Sequence, residues 1–153
     1  MEIREIMTRQ VEVISRDADV RAAAIKMRDL DIGVIPVCDG PTFTGILTDR
    51  DIAVRLAAEG HDATRTFVGE IMTRDLTYCF EDQNIDDAAM VMEFHRIDRL
   101  PILDRNHQLV GIVSLSDIAA QLKARVNVSA AALDEVRAPA NQDAAVAAMT
   151  RVR

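Results

Sequence analysis

The sequence predicts an α+β fold built from two β-α-β-β-α units in tandem, and three observations predict it. The phrase GILTDRDIA at 45–53 returns as GIVSLSDIA at 111–119, and EIMTR at 5–9 returns at 70–74. Between these phrases the helix-spaced apolar stripes and the proline-bearing strand runs recur in the same order. The composition agrees: 153 residues that are 49% hydrophobic and 28% charged have a globular balance. That length holds one ordinary core, or two small units that share one.

Duplication explains the recurrence. Residues 5–39 and 70–104, compared at an offset of 65, are identical at 12 of 35 positions, including Asp17 with Asp82, Met27 with Met92 and Pro36 with Pro101. Ordinary residue frequencies give roughly two. One inserted residue in the second loop then moves the offset to 66, and Gly45, Ile46, Asp51, Ile52 and Ala53 meet Gly111, Ile112, Asp117, Ile118 and Ala119.

Each unit reads in the same way. VEVIS at 11–15 and LTYCF at 76–80 are β-branched or aromatic enough for short strands. A helix follows each: Val20, Ala23, Ala24 and Met27 fall at i, i+3, i+4 and i+7, as do Ile85, Ala88, Ala89 and Met92. Such stripes are core packing, and Asp19 and Asn84 stand ahead of them as N-caps. VIPVCD and RLPILD read as strands with a proline near their start, followed by a turn and a third strand at GILT or GIVS. From Thr48 the first unit turns helical through DRDIAVRLAAE and stops at Gly60. Residues 1–63 and 64–122 are therefore the two units, and residues 123–153 form an Ala-rich tail, helical or flexible, interrupted at Pro139. A unit this small leaves much of its sheet uncovered, so the two should pack together with pseudo-two-fold symmetry and share a core.

Several function classes are excluded by what the sequence carries. A net charge of −7 and a pI near 4.9 argue against a nucleic-acid partner, which needs clustered Lys and Arg. Cys38 and Cys79 stand alone without CxxC spacing or a neighbouring His, as free thiols in a reducing compartment do. The opening MEIREIMTRQ lacks the basic start and apolar run of a signal peptide, and no stretch has the ~18 apolar residues of a membrane span. A cytoplasmic protein without a membrane partner is expected. His61, His95 and His107 share no ligand spacing, so no metal site is expected. No nucleotide-loop, nucleophile-elbow or zinc-protease motif occurs, so neither catalytic residues, a catalytic cofactor nor an enzymatic activity is expected.

The repeated phrase itself supports two readings. Thr48 with Asp51, and Ser114 with Asp117, sit where a strand hands over to a helix with capping-box spacing. The same geometry lets an Asp in the first helical turn accept hydrogen bonds from ribose hydroxyls while helix-start amides face a phosphate. Arg50 adds a guanidinium for phosphate in the first copy, where the second has Ser116. Spacing alone leaves both readings open.

GILTDRD and GIVSLSD, each preceded by a strand containing IP or LP and by an Ala-rich helix, resemble a tandem pair of cystathionine-β-synthase (CBS) domains, a Bateman module. The resemblance covers roughly residues 1–122. It implies a regulatory module, not itself catalytic, that binds adenosine-containing ligands such as AMP, ADP, ATP, S-adenosylmethionine or NAD in two crossed clefts. One cleft would join Thr48, Arg50 and Asp51 to Leu76, Thr77, Ile97, Arg99 and Pro101. The other would join Ser114 and Asp117 to Val11, Glu12, Ile32, Gly33, Val34 and Pro36. Arg50 and Arg99 would make the first cleft the tighter for a phosphorylated ligand, although Asp98 departs from the basic or small residue common there. A homodimer that signals to an unidentified regulated protein would follow, the adenine nucleotide acting as regulatory ligand. The alternative is a ligand-free oligomerisation or interaction scaffold in which the four motif residues are helix caps only.

Overall fold

The computed structural model describes residues 1–136, with side chains described through residue 133. Its two halves have the same topology. In the first, β1 (Ile14–Ser15) leads into α1 (Val20–Leu30), β2 (Val34–Asp39) and β3 (Thr42–Thr48), and the sheet order is β1-β2-β3 with β1 parallel and β3 antiparallel to β2. After β3 come a helical turn, α2 (Asp49–Asp51), and a π-helical stretch (Ile52–Ala57). A short helix, α3 (Val68–Ile71), opens the second half. There β4 (Cys79–Phe80), α4 (Ile85–His95), β5 (Arg99–Leu103) and β6 (Leu109–Ser114) repeat the arrangement, and α5 (Leu115–Val136) follows. The registers match across the repeat: Ile14 pairs with Val37 as Cys79 pairs with Ile102, and each sheet has a bulge one residue later.

The helices begin and end for the same local reasons in both halves. Asp19 accepts the Ala22 amide at 2.7 Å and Asn84 the Asp86 amide at 3.1 Å, so both act as N-caps. Val20, Ala23 and Met27 are buried on α1, as are Ile85, Ala88 and Met92 on α4. Both helices stop at a non-glycine left-handed residue, Asp31 (φ 52°) and Arg96 (φ 55°). The next amides, Ile32 and Ile97, then return to Met27 O and Met92 O at 3.0 Å, closing each helix end.

Three expected elements differ. The strands over 11–15 and 76–80 shrink to two residues each, since only Ile14 and Ser15 pair with β2 and only Cys79 and Phe80 with β5; ahead of β1 the Val13 carbonyl accepts from Lys26 Nζ at 2.8 Å instead of from a strand. The helix after Thr48 is not regular: Ala58 N reaches Ala53 O at 2.9 Å, the five-residue step of a π-helix, before the chain turns at Gly60 (φ 70°). The helix after Ser114 passes through residues 122–123, where a tail was expected to begin, and continues to Val136, with Arg125 paired to Asp86 at 3.1 Å. Pro139 and the AAVAAM segment lie outside the described residues.

Instead of one shared core there are two clusters, each completed by the other half. Val68, Ile71 and Met72 pack with Ile35, Val37 and Leu47 of the first sheet. Ile3 and Met7 pack with Leu100, Ile102 and Val113 of the second. The recurring EIMTR is thus a crossover: each copy lies along the last strand of the opposite or preceding sheet, with Thr8 bridged to Ile112 and Thr73 to Ile46. The recurring glycine follows from it. A Cβ on Gly45 would stand 2.8 Å from Thr73 O, and one on Gly111 would stand 3.1 Å from Thr8 O and 2.5 Å from Met7 Sδ.

Cys38 and Cys79 are free thiols buried in the two sheets. Burial, with the charge of Asp87 added, pushes the Cys79 thiol from about 9 up to about 11. A raised folded-state value means that the folded chain holds this proton more tightly than the unfolded one. Its contribution to stability is therefore whole below pH about 9 and lost as the pH rises towards about 11. Denaturant unfolding at pH 8 and pH 10.5 is expected to show that loss, and Cys79→Ala to lessen it.

Candidate functional site

Where the halves meet, the residues after each helix and around each last strand form an open cleft of about 510 Å³. Gly33, Val34, Ile46, Thr48 and Thr73 line it from one side, and Thr77, Ile97 and Arg99 from the other, with Asp75, His95 and Asp98 around them. Its floor is apolar and its rim polar, the pattern of a small-molecule site.

At the helix start Thr48 and Asp51 make a reciprocal capping box: Asp51 N donates to Thr48 Oγ1, and Thr48 N to Asp51 Oδ2, both at 3.0 Å. Thr73 Oγ1 adds bonds at 3.2 and 3.3 Å to the two carboxylate oxygens, and Arg55 Nε lies 3.8 Å from one of them. Asp51 is consequently 8% exposed, behind Thr48 and Thr73. Arg55 also donates to the carbonyls of Ile71 and Met72, both at 3.1 Å, and so fastens the end of α3 to the first half. The amides at the start of α2 are occupied as well. Asp49 N donates to Gly33 O at 3.0 Å, Arg50 N to Asp49 Oδ1 at 2.8 Å, and Asp51 N to Thr48. The open amides expected there for a phosphate are satisfied from within the chain.

The second copy keeps the box and loosens its surroundings. Ser114 N donates to Asp117 Oδ2 at 3.1 Å, Asp117 N to Ser114 Oγ at 3.2 Å, and the Ser114 hydroxyl to the same carboxylate. Asp117 is exposed, whereas its counterpart Asp51 is buried. An acid has also changed sides at the junction between strand and helix. Gly33 faces Asp49 in the first half, and Asp98 faces Leu115 in the second, where Leu115 N donates to Asp98 O at 2.8 Å.

The sixteen residues expected to bind ligand are thus placed unequally. Thr48, Thr77, Ile97 and Arg99, from the expected first cleft, share one cleft with Gly33 and Val34, from the second. Arg50 and Leu76 are exposed outside that lining, and Pro36 and Pro101 are buried within their strands. Glu12 pairs with Lys26 at 3.3 Å beside α1, away from the cleft. Val11, Ile32, Asp51, Ser114 and Asp117 are not among the lining residues. Three lining residues escaped the sequence reading: Ile46, Thr73 and Asp75. Thr73 had a signal, since it belongs to the recurring EIMTR.

The CBS domain family matches the chain twice, at residues 3–58 and 68–124. The chain is a tandem CBS-domain pair. Among curated relatives of this pair, the CBS domain-containing protein YhcV of Bacillus subtilis is 41% identical over 117 residues, which span 76% of this chain and 82% of that protein. Hypoxic response protein 1 of Mycobacterium tuberculosis is 38% identical over 120 residues, 78% of this chain and 83% of the relative. Among solved structures, the CBS domain pair of protein MJ0100, in complex with 5′-methylthioadenosine and S-adenosyl-L-methionine, superposes with a TM-score of 0.68 at 27% identity, over 79% of this chain and 98% of that one. The family and the α+β fold with paired repeats are those expected from the sequence. Among the described residues of this CBS pair, no three of His, Cys, Asp or Glu converge on a metal-sized site, and no helix is long and apolar enough to cross a membrane.

Proposed function

We propose that this CBS pair is a regulatory sensor that binds an adenosine-containing ligand in the cleft between its repeats and passes the ligand state to a partner protein. The observation that carries this reading is the cleft itself: one cavity large enough for a nucleoside, with walls drawn from both repeats. A ligand there touches both halves at once, so binding changes how firmly they are held together. Thr48 and Thr77 offer hydroxyls to a ribose, and Ile46, Ile97 and Val34 an apolar seat for a base. The adenosine-type ligands held by the MJ0100 pair support the same chemistry. Signalling as a cytoplasmic homodimer belongs to this proposal, with the ligand as effector and no catalytic role.

One observation favours the scaffold reading instead. Asp51 and Asp117 are both engaged in capping their own helices, which is what they would do in a module that binds nothing. Thermal unfolding with AMP, ATP, S-adenosylmethionine and 5′-methylthioadenosine separates the two. A ligand at 100 times its dissociation constant stabilises by about 2.7 kcal/mol, a visible shift in midpoint. Asp51→Ala is expected to cost about 0.5–2 kcal/mol under either reading, as a lost cap. Only under the sensor reading does Thr48→Ala also reduce the ligand-induced shift. No shift with any of the four ligands would leave the scaffold.

A further inference from the structure

We infer that the cleft selects by charge, admitting adenosine-type ligands whose 5′ substituent is neutral or cationic and rejecting di- and triphosphates, with Asp75 and Asp98 as the residues that set this preference. The inference rests on the adenosine reading and specifies which members of that ligand class fit. Three observations carry it.

First, the rim places two carboxylates, Asp75 and Asp98, against one guanidinium, Arg99, and the carboxylate of Asp49 lies against Gly33 of the same lining. A polyphosphate entering here meets more carboxylates than guanidinium groups, and because Asp49, Asp75 and Asp98 are exposed the repulsion is one that salt screens. Second, the helix start that would have to offset that repulsion has no amide to give. Its first three N–H groups are bonded to Gly33 O, Asp49 Oδ1 and Thr48 Oγ1, and two of its three residues are acidic. Third, Arg50, whose guanidinium was the expected phosphate partner, is exposed and absent from the lining. A thioether or sulfonium tail has no charge to oppose, or a positive one for the carboxylates to hold.

Isothermal titration of the full chain with 5′-methylthioadenosine, S-adenosylmethionine and ATP tests this, using the wild type and Asp75→Asn/Asp98→Asn. The wild type is expected to bind 5′-methylthioadenosine and S-adenosylmethionine at least about tenfold more tightly than ATP at low salt. Added salt narrows that gap by screening. In the double variant the affinity for ATP relative to that for 5′-methylthioadenosine rises about tenfold, because only the charged tail meets the carboxylates. ATP binding to the wild type as tightly as 5′-methylthioadenosine, or a ratio that the double variant leaves unchanged, would overturn the charge filter and leave the adenosine reading standing. Failure of all three ligands to bind a folded wild type would overturn that reading and the filter with it.

Discussion

Ile3→Ala is expected to destabilise the chain by about 2–5 kcal/mol, the range for truncating a fully buried aliphatic side chain. Ile3 has no exposed surface and packs in the second cluster with Cys79, Ile85 and Leu100, although its own sheet is the first. The backbone around it is tied to the second half at both ends: Ile3 N donates to Gln83 O and Arg4 N to Glu81 O at 2.9 Å, and Ile85 N donates to Met1 O at 3.1 Å. Urea unfolding gives the measurement, with Arg4→Ala as the neighbour expected to change stability by only about 0.5 kcal/mol because its side chain is exposed. An Ile3→Ala midpoint equal to the parent's would mean that this segment does not complete the second core.

Gly45→Ala is expected to cost about 2–3 kcal/mol by forcing extra volume into a closed junction. The added methyl would lie 2.8 Å from Thr73 O and 2.9 Å from Met72 Sδ. The sulfur can move, but the carbonyl cannot do so cheaply. Ile46 and Thr73 exchange two backbone hydrogen bonds, at 2.9 and 2.8 Å, and Thr73 also holds Asp51 through its hydroxyl. Gly111→Ala is expected to cost less, because its tightest neighbour is the flexible end of Met7 and the Thr8 carbonyl is farther away, at 3.1 Å. Denaturant midpoints of the two variants rank them. If Gly111→Ala were the more damaging, the crossover at Thr8 would be the more rigid of the two.

The parts of the fold that were legible in the sequence are those set by short-range rules. Asp19 and Asn84 cap their helices because a side-chain oxygen can meet an amide two or three residues on, and the stripes around Met27 and Met92 are buried because helical spacing puts them on one face. The crossover was not legible. EIMTR repeats visibly, but Thr8 pairs with Ile112, far downstream in the second half, and Thr73 pairs back with Ile46 in the first half, and periodicity carries no information about such pairings. The left-handed ends at Asp31 and Arg96 were hidden too, since the residue expected there is glycine. At the site, Thr48, Thr77, Ile97 and Arg99 line one cleft together with Gly33 and Val34. Arg50 does not join them: its position beside Asp51 in sequence says nothing of the direction in which a helix turn presents it.

The crossover also bears on how such a chain can change over generations. A gene cut back to its first repeat would lose Val68, Ile71 and Met72 from the cluster that this repeat needs. A gene reduced to the second repeat would lose Ile3 and Met7. Neither fragment inherits a finished interior, so the duplication cannot be undone one copy at a time without passing through a product with an open core. Selection therefore acts on the pair, and each copy is free to drift, as Gly33 and Asp98 have, only so far as the other still fits it.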